Sequence, residues 1–320
     1  MCAHEKIHRS IVMMKKNISI FSIVMLLIIT IAGCTSNKSK LRFQAIYLDM
    51  DGTALTSDHN IRPATIEALN LYRSCGGRVG IATGRTLEQV KPFLNDIKPD
   101  LPMVLFNGGV VVNPSDEQVL FSAVIDYDIA KSIVKKARGD GVRGVFVNYV
   151  KETLLDRSNS DMDALLKRTN ISGVRICPDL AECIEQKQKK DGELPIKISF
   201  VVEPLKNEII ASKLNEVLGD KGRAITSHEE SIAVLPKGVD KADALKKIFS
   251  QNGLTLDDVI VFGDSNNDTR MADEIPVSIA MGNCRPDTCE AALFTIGTND
   301  TDSIARVIKR LVLLDECKGS

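Results

Sequence analysis

RFQAIYLDMDGT, Arg42 to Thr53, is a short apolar run that ends abruptly in two acids and a glycine. A buried parallel strand that stops at a sheet edge reads this way. Asp49 and Asp51 stand two positions apart, so their side chains leave the strand's end on the same side. That side is the carboxyl edge where open α/β sheets bind ligands. Two neighbouring acids repel unless a cation or a shared proton intervenes, so stability alone does not place them there. Taken as an isolated string, a solvated Asp turn after a strand is the competing reading.

Working outward, strand and helix alternate. Pro63 opens a helix in which Ile66, Leu69 and Tyr72 recur at helical spacing until Gly76-Gly77 stops it. Val79–Ala82 is a second strand, another helix follows from Thr86, and Met103–Phe106 is a third strand. Late in the chain a helix around Lys241–Phe249, strands Val259–Phe262 and Val277–Ala280, and a last helix carrying Ile304, Val307, Ile308 and Leu311 restore the pattern. This predicts an α/β, doubly wound parallel sheet covered on both faces. The middle differs: Val145, Val147 and Tyr149 alternate, as do Ile196, Ile198, Phe200 and Val202, beside helices at Ile129–Val134 and Ile209–Leu218. Half-buried strands of this kind predict an α+β layer with one open sheet face. KQKKDGE, Lys187 to Glu193, reads as a solvated loop. The expected organisation is a core in two halves, 42–122 and 237–320, around an insertion at 123–236.

VIVFGDSNNDTRM, Val259 to Met271, repeats the first motif's logic, an apolar strand followed by Asp264 and Asp268. Brought together, Asp49, Asp51 and Asp264 would surround a hard cation, for which oxygen ligands are suited. IATGR offers the hydroxyl of Thr83, and GVDK the ammonium of Lys241; Lys237 is the competing lysine, better read as a solvated loop residue. Acids, a metal, a hydroxyl and a cation suit a phosphoryl group held in line with an Asp nucleophile.

Composition bounds the partners. Lys and Arg number 41 against 42 Asp and Glu, a formal charge of −1, which lacks the electrostatic footprint of a nucleic-acid binder. At the N-terminus, Lys6, Arg9, Lys15 and Lys16 precede an apolar run from Ile18 that closes in Ile31-Ala32-Gly33-Cys34. It is short for a membrane span and has the layout of a secretory signal, residues 1–33, followed by a polar tether at 34–41. An uncleaved anchor helix is the alternative. In an oxidising compartment Cys177–Cys183 and Cys284–Cys289 bridges are permitted, and six buried or incidental thiols are an equal reading.

DMDGT (Asp49–Thr53), ATGR (Ala82–Arg85), LPKGVDKADAL (Leu235–Leu245) and GDSNNDTRM (Gly263–Met271) together resemble the four motifs of the haloacid dehalogenase-like phosphohydrolases. FNGGVVV (Phe106–Val112) and VSIAMGN (Val277–Asn283) are similar to the Cof-type branch, with its type IIB cap between the second and third motifs. The resemblance runs from Arg42 to Val312. Ala242-Asp243 after the motif lysine, and Cys284 in place of the usual Ala, depart from the pattern without removing a reacting group. It implies that Asp49 is the nucleophile and Asp51 the general acid and base. Thr83 and Lys241 would bind phosphoryl oxygens, with Asn267 in support. Mg²⁺ would be held by the Asp49 and Asp264 side chains and the Asp51 backbone carbonyl, with Asp268 orienting ligand waters. Arg85 and Asn107 are weaker substrate-contact candidates.

The Ile31–Cys34 segment resembles a lipobox, with Cys34 the lipidated residue. The combined expectation is a lipid-anchored phosphatase of the bacterial cell envelope acting on sugar phosphates or similar small metabolites, cytoplasmic if the leader is not a signal. A phosphomutase or phosphotransferase on the same fold, and a non-catalytic binding lipoprotein, are the rivals.

Overall fold

The computed structural model describes residues 41–312 apart from 137–138, 140, 170–172 and 229. The expected leader, Cys34 with its expected lipidation, nearly all of the expected tether and Cys317 lie outside the described residues. Among the described residues no helix is long and apolar enough to cross a membrane.

Strand β1 (Ala45–Leu48) is wholly buried, each of its residues at 0% exposure, because helices cover both faces of the sheet it belongs to. Helix Pro63–Ser74 follows. Pro63 supplies its first turn, and Ala68, Leu69 and Tyr72 face the core. The Tyr72 hydroxyl donates to the Phe43 carbonyl at 2.9 Å, which satisfies its buried polar end. β2 (Arg78–Ile81) then runs parallel to β1. The helix expected from Thr86 starts with a capping box between Thr86 and Gln89 but lasts only Leu87–Val90, since Pro92 interrupts the ladder.

β3 (Met103–Leu105) touches the parallel sheet through a single bridge, Ala82 to Val104. Its ladder is antiparallel with β4 (Val110–Val112), which in turn pairs with β5 (Val119–Ser122). After helix Tyr127–Lys136 come β6 (Val142–Asn148), β7 (Thr153–Leu155) and helix Ser160–Thr169. β8 (Val174–Ile176) and helix Leu180–Asp191 lead to β9 (Lys197–Val202), and helix Asn207–Leu218 to β10 (Gly222–His228) and β11 (Ser231–Pro236). These six strands form one sheet in the order β10-β11-β9-β6-β7-β8. Helix Lys241–Gln251, β12 (Val259–Gly263), β13 (Val277–Ala280) and β14 (Phe294–Thr295) complete the parallel sheet, ordered β14-β13-β12-β1-β2. Strands from both ends of the chain therefore pair at its centre, β1 beside β12.

Two expectations are corrected. Lys187–Asp191 is helical: Asp179 caps the helix start by accepting from the Glu182 amide at 3.1 Å. Leu180, Ala181 and Ile184 bury one face, and Gly192 ends it at φ +67°. Lys187 itself bridges Glu152 and Glu193, both at 2.9 Å, so the charge run is a paired helix face and turn. The expected open face of the six-stranded sheet is covered in part, while alternate residues of β9 stay half-buried. Phe146, Leu155 and Met162 form a second apolar cluster beneath helix Ser160–Thr169, opposite the main one around Val145, Val147 and Phe200. Of the two permitted bridges, both are formed: Cys177–Cys183 and Cys284–Cys289, with Cα separations of 6.6 and 5.6 Å.

Candidate active site

The parallel register of β1 and β12 sets Leu48 beside Phe262, and the Asp49 amide donates to the Phe262 carbonyl at 3.0 Å. The two acidic strand ends thereby meet. The chain turns at Gly52, where φ is +73° and a Cβ would stand 2.4 Å from Oδ2 of Asp264, so both conformation and close approach require glycine. Thr53 Oγ1 donates to Asp264 Oδ1 at 3.0 Å, and the Asn283 amide donates to the Gly52 carbonyl at 2.8 Å.

Carboxylate oxygens of Asp49, Asp264 and Asp268 lie within 4.8 Å of one another, and all three residues are buried. Lys241 enters from the first position of its helix, wholly buried, and donates to Asp49 Oδ1 at 2.6 Å and Asp268 Oδ1 at 2.7 Å. An ammonium at a helix N-terminus opposes the helix dipole, and the two carboxylates offset that. Asp240 caps the same helix by accepting from the Ala242 amide at 2.8 Å; Arg223 of β10 holds Asp240 in turn, at 2.6 Å. Asp268 is held on both oxygens, since Oδ2 accepts from the amides of Asp264 and Ser265, both at 3.1 Å.

Burial raises the Asp49 carboxyl well above its ordinary range, against the pull of Lys241 and with the push of Asp268, Asp264 and Asp51. Asp264 is pushed up to about 7, by burial and then by Asp268. For Lys241 burial acts downward, but Asp268 and Asp49 together hold the ammonium above its usual value. Three buried acids face one ammonium, an excess of acid that a second positive charge would relieve. All the acceptors are hard oxygens, so the donor set fits a divalent cation such as Mg²⁺.

Asp51 stands apart from this cluster. Its carboxylate is gripped by Arg85 on both oxygens, Nε to Oδ2 at 2.8 Å and Nη2 to Oδ1 at 2.6 Å, with a third of its side chain exposed. Arg85 is itself buried, held further by the Gln89 carbonyl at 3.1 Å, and is no loose surface charge. Thr83 is buried on the neighbouring loop. Its amide donates to the Val104 carbonyl at 2.8 Å, and its own carbonyl accepts from the Asn107 amide at 3.0 Å. Phe106, Asn107 and Gly108 all have positive φ, +52°, +58° and +99°. Two non-glycine residues in that region cost on the order of 1–2 kcal/mol each. What holds them is Asn267, whose amide donates to Asn107 Oδ1 at 2.8 Å, and the Arg85 carbonyl, which accepts from the Phe106 amide at 3.1 Å. Asn107 thus acts through its side chain as well as its backbone. Lys237 is 70% exposed and far from these groups in character, pairing loosely with Asp220 at 3.6 Å.

The structure therefore brings Asp49, Asp264, Asp268 and Lys241 into direct contact or near it, sets Asp51 on Arg85, and ties Asn267 to Asn107. Sequence reasoning missed Thr53, Asn283, Asp240 and Arg223. Of these, only Asp240, a capping residue at the start of an apolar helical repeat, carried a local signal.

A family model for haloacid dehalogenase-like hydrolases matches residues 46–308. The 5-amino-6-(5-phospho-D-ribitylamino)uracil phosphatase YitU of Bacillus subtilis is 26% identical over 275 residues, 82% of this chain and 96% of that protein. The HMP-PP phosphatase of Cronobacter sakazakii is 29% identical over 239 residues, 74% of this chain and 84% of its own. Among solved structures, a haloacid dehalogenase-like hydrolase from Bacteroides thetaiotaomicron superposes with a TM-score of 0.73 at 23% identity, covering 84% of this chain and 99% of that one. The HAD subclass IIB sugar phosphatase BT4131 superposes with a TM-score of 0.72 at 19% identity, covering 83% and 98%. At these identities the structural likeness speaks to the α/β fold.

Proposed function

Because this chain belongs to the haloacid dehalogenase-like hydrolases and is a phosphatase, we propose that it hydrolyses small phosphomonoesters, sugar phosphates foremost, through an aspartyl-phosphate on Asp49. The observation that carries the reading is the buried Asp49–Lys241–Asp268 arrangement beside Asp264. A relative named for a phosphoribityl compound, and a similar fold named for sugar phosphates, support the substrate class.

In this reading Lys241 holds Asp49 as a carboxylate aimed at phosphorus, and with Thr83 it binds the transferring oxygens. Asp51, once released from Arg85 and protonated from solvent, gives its proton to the departing oxygen, then takes one from the water that attacks the aspartyl-phosphate. Asp268 fixes Lys241 and the Asp264–Ser265 backbone. The six-stranded layer caps the site and selects the substrate. Asp49, Asp264 and the Asp51 backbone carbonyl would hold Mg²⁺, with Asp268 orienting its waters. The ion supplies the charge that lets an anionic carboxylate approach an anionic phosphate.

Metal binding has a stability signature. A carboxyl raised in the folded state binds more protons than in the unfolded chain. Asp264 therefore takes stability away from the metal-free protein as pH rises from the ordinary carboxylate range to about 7. Mg²⁺ competes with that proton. Its increment to Tm should be small near about pH 5 and several degrees larger near about pH 8. Equal increments at both, in thermal melts with and without Mg²⁺, would argue against a metal at Asp264.

Asp51 provides the test of mechanism. A sugar alkoxide leaves poorly unless protonated, whereas nitrophenolate leaves unaided. In Asp51→Asn the first-turnover burst should fall about 10²–10⁴-fold with a sugar phosphate and less than about tenfold with nitrophenyl phosphate. The burst is the proper readout, because the second half-reaction needs Asp51 too. Equal losses for both substrates would remove Asp51 from the acid role.

A further inference from the structure

Lys197 opens β9 in the inserted layer, yet its ammonium lies against the core. Nζ donates to the Gly84 carbonyl at 2.9 Å and stands 5.6 Å from the centre of the Phe106 ring. The placement is enforced from below. The preceding residue, Ile196, is buried in the apolar cluster of the parallel sheet with Ile81, Leu105 and Phe106, and its amide donates to the Asn148 carbonyl at 2.8 Å. Gly84 lies between Thr83 and Arg85, on the loop assigned above to the phosphoryl group and to the partner of Asp51.

The ammonium is poorly compensated where it sits. Among the described residues it forms no ion pair, and its hydrogen-bond partner is one neutral carbonyl. Asp51 is the carboxylate whose field it feels, and both oxygens of Asp51 are taken by Arg85. Burial pushes Lys197 down to about 8 despite that field. A partly buried lysine whose hydrogen-bond partner is a neutral carbonyl, beside the loop assigned above to the phosphoryl group, is suited to an anion that arrives with the substrate.

We propose that Lys197 is a substrate-binding residue supplied by the inserted layer, its ammonium taking the anionic phosphate so that this group is held by one lysine from each layer, Lys241 and Lys197. The inference rests on the hydrolase reading above. It makes phosphate charge, and not the leaving group alone, a force that draws the layer onto the site. The opposing account is a tether, in which Lys197 serves only to hydrogen-bond Gly84 and fasten the two layers.

Inorganic phosphate, the product, is the probe, titrated calorimetrically into the full-length protein with Mg²⁺. Lys197→Met should weaken phosphate binding about 10- to 100-fold, the worth of a hydrogen bond to a charged group, and raise KM in proportion. Its Tm without phosphate should stay unchanged or rise, and Lys197→Arg should restore much of the affinity. A tether predicts the reverse, a lowered Tm with wild-type phosphate affinity, and that result overturns the proposal. Should Lys197→Met not fold, Lys197→Gln decides, since it keeps a donor for Gly84 but no charge: weakened phosphate binding supports the proposal and wild-type binding overturns it. If the wild type neither binds phosphate nor releases it from any phosphomonoester, the hydrolase reading falls and takes this inference with it. Wild-type binding with an indifferent Lys197→Met removes the inference alone.

Discussion

Asp49→Asn should abolish phosphate release from every phosphomonoester the wild type hydrolyses, a loss on the order of 10⁴-fold or more, because no other group replaces a missing nucleophile. The loss should not depend on the leaving group, in contrast to Asp51→Asn. Stability should move the other way. Asp49 is a buried acid held above its ordinary range by burial, with Asp268 and Asp264 close by. The neutral isostere relieves repulsion in the metal-free chain, which should melt at the same temperature as the wild type or higher. Activity assays with a sugar phosphate and nitrophenyl phosphate, alongside metal-free melts, check both halves. Residual turnover within about tenfold of wild type would assign the chemistry elsewhere.

Lys241→Met should be the most damaging single change to the fold itself. Lys241 is wholly buried and lies 2.6 and 2.7 Å from two buried carboxylates. Breaking a buried ion pair by removing one partner costs about 3–5 kcal/mol, since the remaining charges have lost their compensation. Here two carboxylates are left facing each other. The urea midpoint of Lys241→Met should fall accordingly, activity should be lost, and Mg²⁺ should recover part of the stability by neutralising the acids. An Asp268→Asn change in the same background should recover some of it as well, because it removes one of the two stranded charges. A Lys241→Met protein as stable as the wild type would mean that the cluster is not electrostatically coupled as described.

The parts of this molecule that sequence made legible are those where local pattern and tertiary role coincide. A buried parallel strand is apolar along its whole length, so β1 and β12 announced themselves, and acids at their ends marked the sheet edge. The family resemblance then supplied the order of the motifs, and the family match at residues 46–308 agrees with it. What escaped was set by packing. Lys187–Asp191 looked like a solvated loop because its apolar anchors lie in the half of the helix before it. Phe146 looked solvent-facing because alternation along a strand does not show what covers the second face, here helix Ser160–Thr169. The positive φ at Phe106 and Asn107 has no signature in residue type at Phe106, where hydrogen bonds from distant loops enforce it. Lys197 acts on a residue 113 positions away, a relation that no periodicity encodes.

The central claim, a covalent phosphoryl group on Asp49, is tested most directly by acid quench. Wild-type protein should be mixed with a good phosphomonoester substrate, quenched within the first turnover, digested and analysed by mass spectrometry. The account predicts one phosphoryl group on the peptide carrying Asp49, accumulating further in Asp51→Asn with nitrophenyl phosphate, labile to hydroxylamine, and missing from Asp49→Asn. Phosphate released in that turnover with no modified peptide in either protein, or with the modification on another residue, would contradict it.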